Sequence, residues 1–174
     1  LNRDNLSKIF LQLRGISVGN FNMNCNFRVE AAIEIMIQYK LAILAVQEHT
    51  PWNRELLEGE IKAIERHCDH WGYLVTISQL QILIIDKQLK ACHRENTIYE
   101  DGRIITSRFE ISENNFVTFI PVYGVPHSGG EKLQNLFAEN PEDIRMQKLR
   151  KVRDQLCNIR KALKQTNDIV YVFG

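Results

Sequence analysis

The sequence predicts an α/β fold, and two stretches carry that prediction. Between Gly15 and Glu48 an apolar strand, a helix and a second apolar strand follow one another. Between Gly102 and Tyr123 an alternating apolar pattern turns back on itself through a polar loop. Strands interleaved with helices are the pattern of an α/β sheet.

Each element follows from its residues. The first strand, Gly15-Ile16-Ser17-Val18-Gly19, runs into Asn20-Phe21-Asn22, and the second, Leu41 to Val46, runs into Gln47-Glu48. Val29, Ile33, Met36 and Ile37 recur at helical spacing, which predicts a helix over Val29 to Tyr39. A crossover of this kind makes the flanking strands parallel and brings both polar ends to the same carboxyl edge of the sheet. Trp52 to Trp71 reads as a second helix, with Leu56, Leu57, Ile61, Ile64 and Cys68 on one side. Gly72 to Ile77 and Gln79 to Asp86 read as a hairpin whose second strand is apolar enough to lie centrally. Lys87 to Asp101 is polar and receives no assignment. Gly102 to Phe109 alternates like a half-buried strand, Ser112-Glu113-Asn114-Asn115 supplies the turn, and Phe116 to Tyr123 returns. From Arg145 to Lys164, Leu149, Val152, Leu156, Ile159 and Leu163 recur at three- and four-residue steps beneath a basic outer face. That face reads as solvated, or as a source of non-specific phosphate attraction.

Composition sets the class. With 174 residues and 44% apolar content the chain is one domain with a sizeable core. It carries no signal-like segment and no apolar run near the roughly 20 residues that cross a bilayer, so an intracellular protein without a membrane partner is expected. Cys25, Cys68, Cys92 and Cys157 are scattered and expected to be reduced thiols. His67 and His70 read as surface residues at a helix end. The net charge of +1 does not by itself point to nucleic acid.

The strand ends carry hard-ion chemistry. Mg²⁺ prefers oxygen ligands, keeps several waters and is commonly held by one or two carboxylates plus a substrate phosphate. Glu48 supplies the carboxylate, and Asn22 can add a carbonyl oxygen or a water-mediated contact. His49, next to Glu48, is expected at the rim, as a substrate contact or an incidental neighbour.

Taken together, Asn20-Phe21-Asn22 after one strand, Gln47-Glu48 after the next, Gly102-Arg103-Ile104-Ile105 opening a hairpin and Val122-Tyr123-Gly124-Val125-Pro126 closing it resemble the endonuclease/exonuclease/phosphatase superfamily. Within it, the similarity is to apurinic/apyrimidinic endonucleases and to the endonuclease domains of LINE-type retrotransposons, from about Ile16 to Gly174. The resemblance implies the N-terminal half of a four-layered, two-sheet α/β sandwich of DNase I type over residues 1–174. It implies Mg²⁺-dependent phosphodiester hydrolysis, with Mn²⁺ as a substitute ion, in a DNA-nicking protein of the nucleus that carries a reverse-transcriptase domain in the same polyprotein. A phosphatase or another nuclease of the superfamily is one alternative. A catalytically incomplete fragment that persists as a fold or nucleic-acid-binding remnant is another.

The resemblance also assigns roles. Asn20 orients an active-site carboxylate and contacts phosphate, Asn22 and Glu48 bind the metal, and the Tyr123 hydroxyl reaches the scissile phosphate. Pro126-His127-Ser128-Gly129-Gly130 lies where relatives have an Asn-rich loop touching the DNA backbone. His127 is thus a candidate substrate contact alongside Asn20, Tyr123 and His49. Asn167 to Gly174 resembles a family strand that continues from Gly into Asp-x-Asn, so the chain is expected to stop before that motif and before an Asp-His pair that activates water. A second sheet left short of partners, with exposed apolar surface, is the structural expectation.

Overall fold

In a computed structural model of the chain, residues 16–23, 27–49, 55–99, 102–125 and 141–174 are described. Strands β1 (Val18–Asn22), β2 (Ile43–Gln47), β3 (Leu74–Ile77) and β4 (Gln81–Ile85) form one sheet in the order β1-β2-β4-β3. Strands β5 (His93–Tyr99), β6 (Ile104–Ser112), β7 (Asn115–Pro121) and β8 (Ile169–Phe173) form a second in sequence order. Helices α1 (Val29–Tyr39), α2 (Glu58–His70) and α3 (Pro141–Gln165) connect them. The expected parallel crossover is present: β1 lies parallel to β2, with Asn20 opposite Ala45 and Asn22 opposite Gln47. The second sheet repeats the device, with β7 parallel to β8 across α3. The strongly apolar β4 is central, flanked antiparallel by β2 and β3.

Alternation along the strands builds three cores and four layers. Leu44, Val46, Ile82 and Ile84 face outward onto α1 and α2, where they meet Ala32, Ile33, Met36, Ile64 and Cys68. Ile43, Ala45, Leu83 and Ile85 face the opposite way and pack on Ile105, Phe109, Val117 and Phe119 of the second sheet. Ile104 and Ile120 on the far side of that sheet are covered by Val152 and Ile159 of α3. The order helix, sheet, sheet, helix is the expected sandwich, and the apolar stripe of α3 is spent on the outer layer.

The elements differ from expectation at their ends. The second helix begins at Glu58, because the Glu60 carboxylate accepts the Leu57 N–H at 2.9 Å and closes the first turn there; Leu57 itself is exposed. The described part of the stretch from Lys87 to Asp101, unassigned from sequence, holds a 3₁₀ turn at Lys87–Leu89 and strand β5. β5 is an edge strand with polar side chains and one partner, β6, so it lacks the apolar alternation of a strand buried on one face. At the other edge, β8 exposes Ile169, Tyr171 and Val172, while Tyr171 stacks on Phe119 at 5.4 Å between centroids.

Among the described cysteines, Cys68 and Cys92 are buried free thiols and Cys157 is an exposed one. Burial pushes the Cys68 thiol up to about 11, so it is inert at neutral pH. Cys25 lies outside the described residues. No described helix is long and apolar enough to cross a membrane.

Candidate functional site

The carboxyl ends of four strands meet at one edge of the sandwich. Asn22 sits opposite Gln47 in register. The Gln47 amide donates to Val122 O across the gap between the sheets at 3.1 Å. Val122 N–H in turn donates to Phe173 O at the end of β8 at 2.8 Å. At this junction the Tyr123 hydroxyl donates to Glu48 Oε1 at 2.9 Å, a contact between residues 75 apart in sequence. Asn20 and Asn22, two positions apart on β1, share the face that carries Ala45 and Gln47. Both are exposed. The structure therefore brings Asn20, Asn22, Glu48 and Tyr123 to one edge, while His127 lies outside the described residues.

Glu48 is held in an unusual way. Its φ is +51°, in the left-handed region that non-glycine residues rarely occupy, and it belongs to neither a turn nor a helix cap. Such a conformation costs on the order of 1–3 kcal/mol and persists only where the surroundings over-determine it. The surroundings here are its own neighbours. On one side, Gln47 is buried and fixed to Val122. On the other, His49 is 4% exposed and bonded at 3.0 Å to Ser78 O. Because a carbonyl only accepts, His49 must carry its proton on Nε2. Sequence placed His49 at the rim; the structure places its ring inside, edge-on to Phe27. Burial lowers its pKa, against a smaller opposing effect of the Ser78 carbonyl, and keeps the ring neutral. Below about pH 6.5 the unfolded chain takes up this proton before the folded one does, so this residue makes stability fall as pH drops.

The far end of the His49 contact is also fixed. Ser78 Oγ lies 2.8 Å from Gln81 O and 2.9 Å from Gly102 O, and accepts Gln81 N–H at 3.0 Å. Gly102 has φ +77°, and a Cβ there would stand 2.8 Å from both Cβ and Oγ of Ser78. Gly102→Ala should therefore destabilise the chain by about 1–3 kcal/mol, from strained backbone plus overpacking. Urea denaturation measures it, and a change below about 0.5 kcal/mol, the scale of an indifferent surface substitution, would show that this contact is not tight.

Tyr123 has its own supports. Its N–H donates to Arg103 O at 2.8 Å, Arg103 Nη1 donates to Gly124 O at 2.9 Å, and the guanidinium sits 5.3 Å from the Tyr123 ring centroid. Arg103 is buried, so this cation–π contact is shielded from solvent. Gln81, register partner of Gln47, is fully buried and reaches Pro121 O at 3.4 Å, a weak second tie between the sheets. Sequence reading gave no such roles to Ser78, Gln81, Gly102 or Arg103. Gly102-Arg103 was visible as a motif, but nothing local says that one touches Ser78 and the other Tyr123.

The donor set fits a hard cation. Glu48 offers a carboxylate and Asn20 and Asn22 offer amide oxygens, whereas the nearby imidazole of His49 is buried and tied to Ser78. Among the described residues no three His, Cys, Asp or Glu side chains group as a metal site. An ion of Mg²⁺ type does not need one, since waters and substrate phosphate complete its shell.

No protein-family model matches the chain, and no curated protein matches it. Similar solved structures include the following three. Over 88% of this chain and 57% of the other, TDP2 of D. rerio complexed with a single-strand DNA product superposes with a TM-score of 0.50 at 12% identity. A humanized D. rerio TDP2 carrying 14 mutations gives 0.47 at 13% identity, covering 88% and 58%. An AP endonuclease from Archaeoglobus fulgidus gives 0.41 at 19% identity, covering 64% and 42%. The chain spans 57% of the length of the first. That likeness is one of fold: two facing mixed sheets between helical layers.

Proposed function

We propose that this chain supplies the carboxylate-and-tyrosine side of the active site of a Mg²⁺-dependent phosphodiesterase that nicks DNA, in a protein of retrotransposon type. The observation that carries the reading is the Tyr123 hydroxyl on Glu48 Oε1 at 2.9 Å, which joins the ends of strands from two different sheets. A merely polar loop end would not need a strained carboxylate held from both sides. The likeness of fold to TDP2, solved with a single-strand DNA product, supports DNA as the substrate class. The retrotransposon setting, with a reverse-transcriptase domain in the same protein, rests on the sequence resemblance.

Glu48 and Asn22 would hold the ion. When bound it would supply Lewis-acid stabilisation of a phosphoryl oxygen and of the leaving oxygen. The remaining work belongs to side chains. Tyr123 presents a hydroxyl whose single proton goes to Glu48 Oε1 here and would turn to a phosphate oxygen with substrate bound, and Arg103 fixes the ring that carries it. Asn20 lies on the same face two residues before Asn22 and offers an amide N–H₂ to the phosphate. Preorganised donors of this kind are worth about 10²–10³ in rate each, because charge develops on the phosphate oxygens while the donors need not reorganise. The resemblance places the groups that activate water outside this constellation of four side chains.

The test uses the full-length protein that carries this chain. Supercoiled plasmid should be nicked with Mg²⁺ and left intact with EDTA, and a phosphodiester such as bis(p-nitrophenyl) phosphate should be cleaved in preference to p-nitrophenyl phosphate. Preference for the monoester would replace the nuclease reading with a phosphatase. DNA binding without metal-dependent cleavage would leave a non-catalytic nucleic-acid-binding protein.

A further inference from the structure

The two residues beside Glu48 are buried, and both point their side chains away from it to fixed backbone carbonyls. Gln47 reaches Val122 on the second sheet at 3.1 Å, and His49 reaches Ser78 in the β3–β4 turn at 3.0 Å. Ser78 is itself pinned, through its hydroxyl, to Gln81 in its own turn and to Gly102 at the entrance to β6. Gly102 leaves no room for a side chain at that contact. The backbone of residue 48 is thus suspended between two anchors that lie in different parts of the fold. A φ of +51° at a glutamate, outside any turn or cap, is what such a suspension would impose.

We infer that His49 is a positioning residue: its bond to the Ser78 carbonyl, opposed by the bond from Gln47 to Val122, holds Glu48 in its left-handed conformation and so aims the carboxylate at the Tyr123 hydroxyl and the metal position. The inference rests on the reading of Glu48 as the metal-binding carboxylate for its consequence, but the clamp is a matter of conformation. The His49 ring is buried and its N–H is committed to the Ser78 carbonyl. It acts through Glu48, as groups that orient a metal ligand do.

Three forms of the chain test it: the native sequence, H49F, which keeps an aromatic ring against Phe27 but lacks the N–H, and H49Q, whose amide N–H can still reach a carbonyl. The first readout is the amide-to-α-proton coupling of residue 48 by NMR, which reports φ without any metal. The second is the Mn²⁺ dissociation constant, read from free Mn²⁺ by electron paramagnetic resonance. H49F is expected to move residue 48 out of the left-handed region and to weaken Mn²⁺ binding about 10–100-fold, the usual effect of losing an orienting partner. H49Q should restore both. A left-handed residue 48 in folded H49F overturns the inference. Should H49F not fold, Q47M decides the same question, because it removes the opposing bond to Val122 and leaves His49 in place; unchanged coupling in folded Q47M overturns the inference as well.

The two readings fail separately. If H49F shifts residue 48 but the native chain binds no Mn²⁺, the clamp stands and the metal-dependent reading falls. If the native chain and H49F bind Mn²⁺ equally with residue 48 unmoved, the clamp falls and the metal reading stands.

Discussion

Asp168→Asn is expected to cost the fold about 3–5 kcal/mol, the range for removing one partner of a buried ion pair. The Asp168 side chain is fully buried at the entrance to β8. It accepts two bonds from Arg108, at Nε 2.8 Å and Nη2 2.9 Å, one from Thr118 at 2.7 Å and one from Thr166 at 2.6 Å. Arg108 lies over the Phe116 ring at 3.8 Å. Asparagine keeps the shape, but its amide presents donors where four donors already converge. The network matters because β8 is an edge strand with much of its apolar surface exposed, so little else fixes where it begins. Urea denaturation would give the loss, and hydrogen exchange should show Ile169 to Phe173 opening first. A loss under about 1 kcal/mol, the worth of an exposed pair, with β8 amides still protected would show that the network is not what holds the strand. Burial alone would raise the Asp168 carboxyl, yet the bonds from Arg108, Thr166 and Thr118 outweigh it and hold the pKa below the ordinary value. The stability this contributes is present above the unfolded carboxylate pKa of about 4. It is lost as pH falls through the lower folded value, and the D168N variant should lack that part of the acid limb.

Glu48→Gln is expected to lower Mg²⁺-dependent nicking by the full-length protein by at least about 10², the scale for losing one preorganised electrostatic group. The substitution is nearly isosteric, and the glutamine oxygen can still accept the Tyr123 hydroxyl, so the contact that now measures 2.9 Å has no reason to break. What disappears is the negative charge that draws the cation. Affinity for DNA measured without divalent metal should be nearly unchanged, because the phosphate backbone is bound by cationic groups and this carboxylate is not one of them. The informative measurement is therefore nicking rate beside metal-free DNA affinity. Equal cutting by the two proteins would remove Glu48 from the reaction and, with it, the reading of this edge as the catalytic one.

The sequence by itself determined the elements whose apolar spacing is regular and the polar residues that end them. Helix α1 occupies Val29–Tyr39, the span that its spacing gives, and β4 is central as its unbroken apolar run requires. Parallel pairing of β1 with β2 followed from the intervening helix, and that pairing is enough to place Asn22 beside the end of β2. Strand β5 was not legible, since a polar edge strand paired on one side leaves no periodicity to read. Nor was the inner position of His49: a histidine after a glutamate reads as polar, and only the β3–β4 turn, nearly thirty residues on, supplies the carbonyl that lets the ring be buried. The jobs of Ser78, Gly102, Arg103 and Asp168 are of the same kind, each set by partners from other elements. Local propensity acts over a few residues, whereas the strained Glu48 is fixed by contacts closed only when the two sheets meet, and so its conformation belongs to the tertiary structure alone.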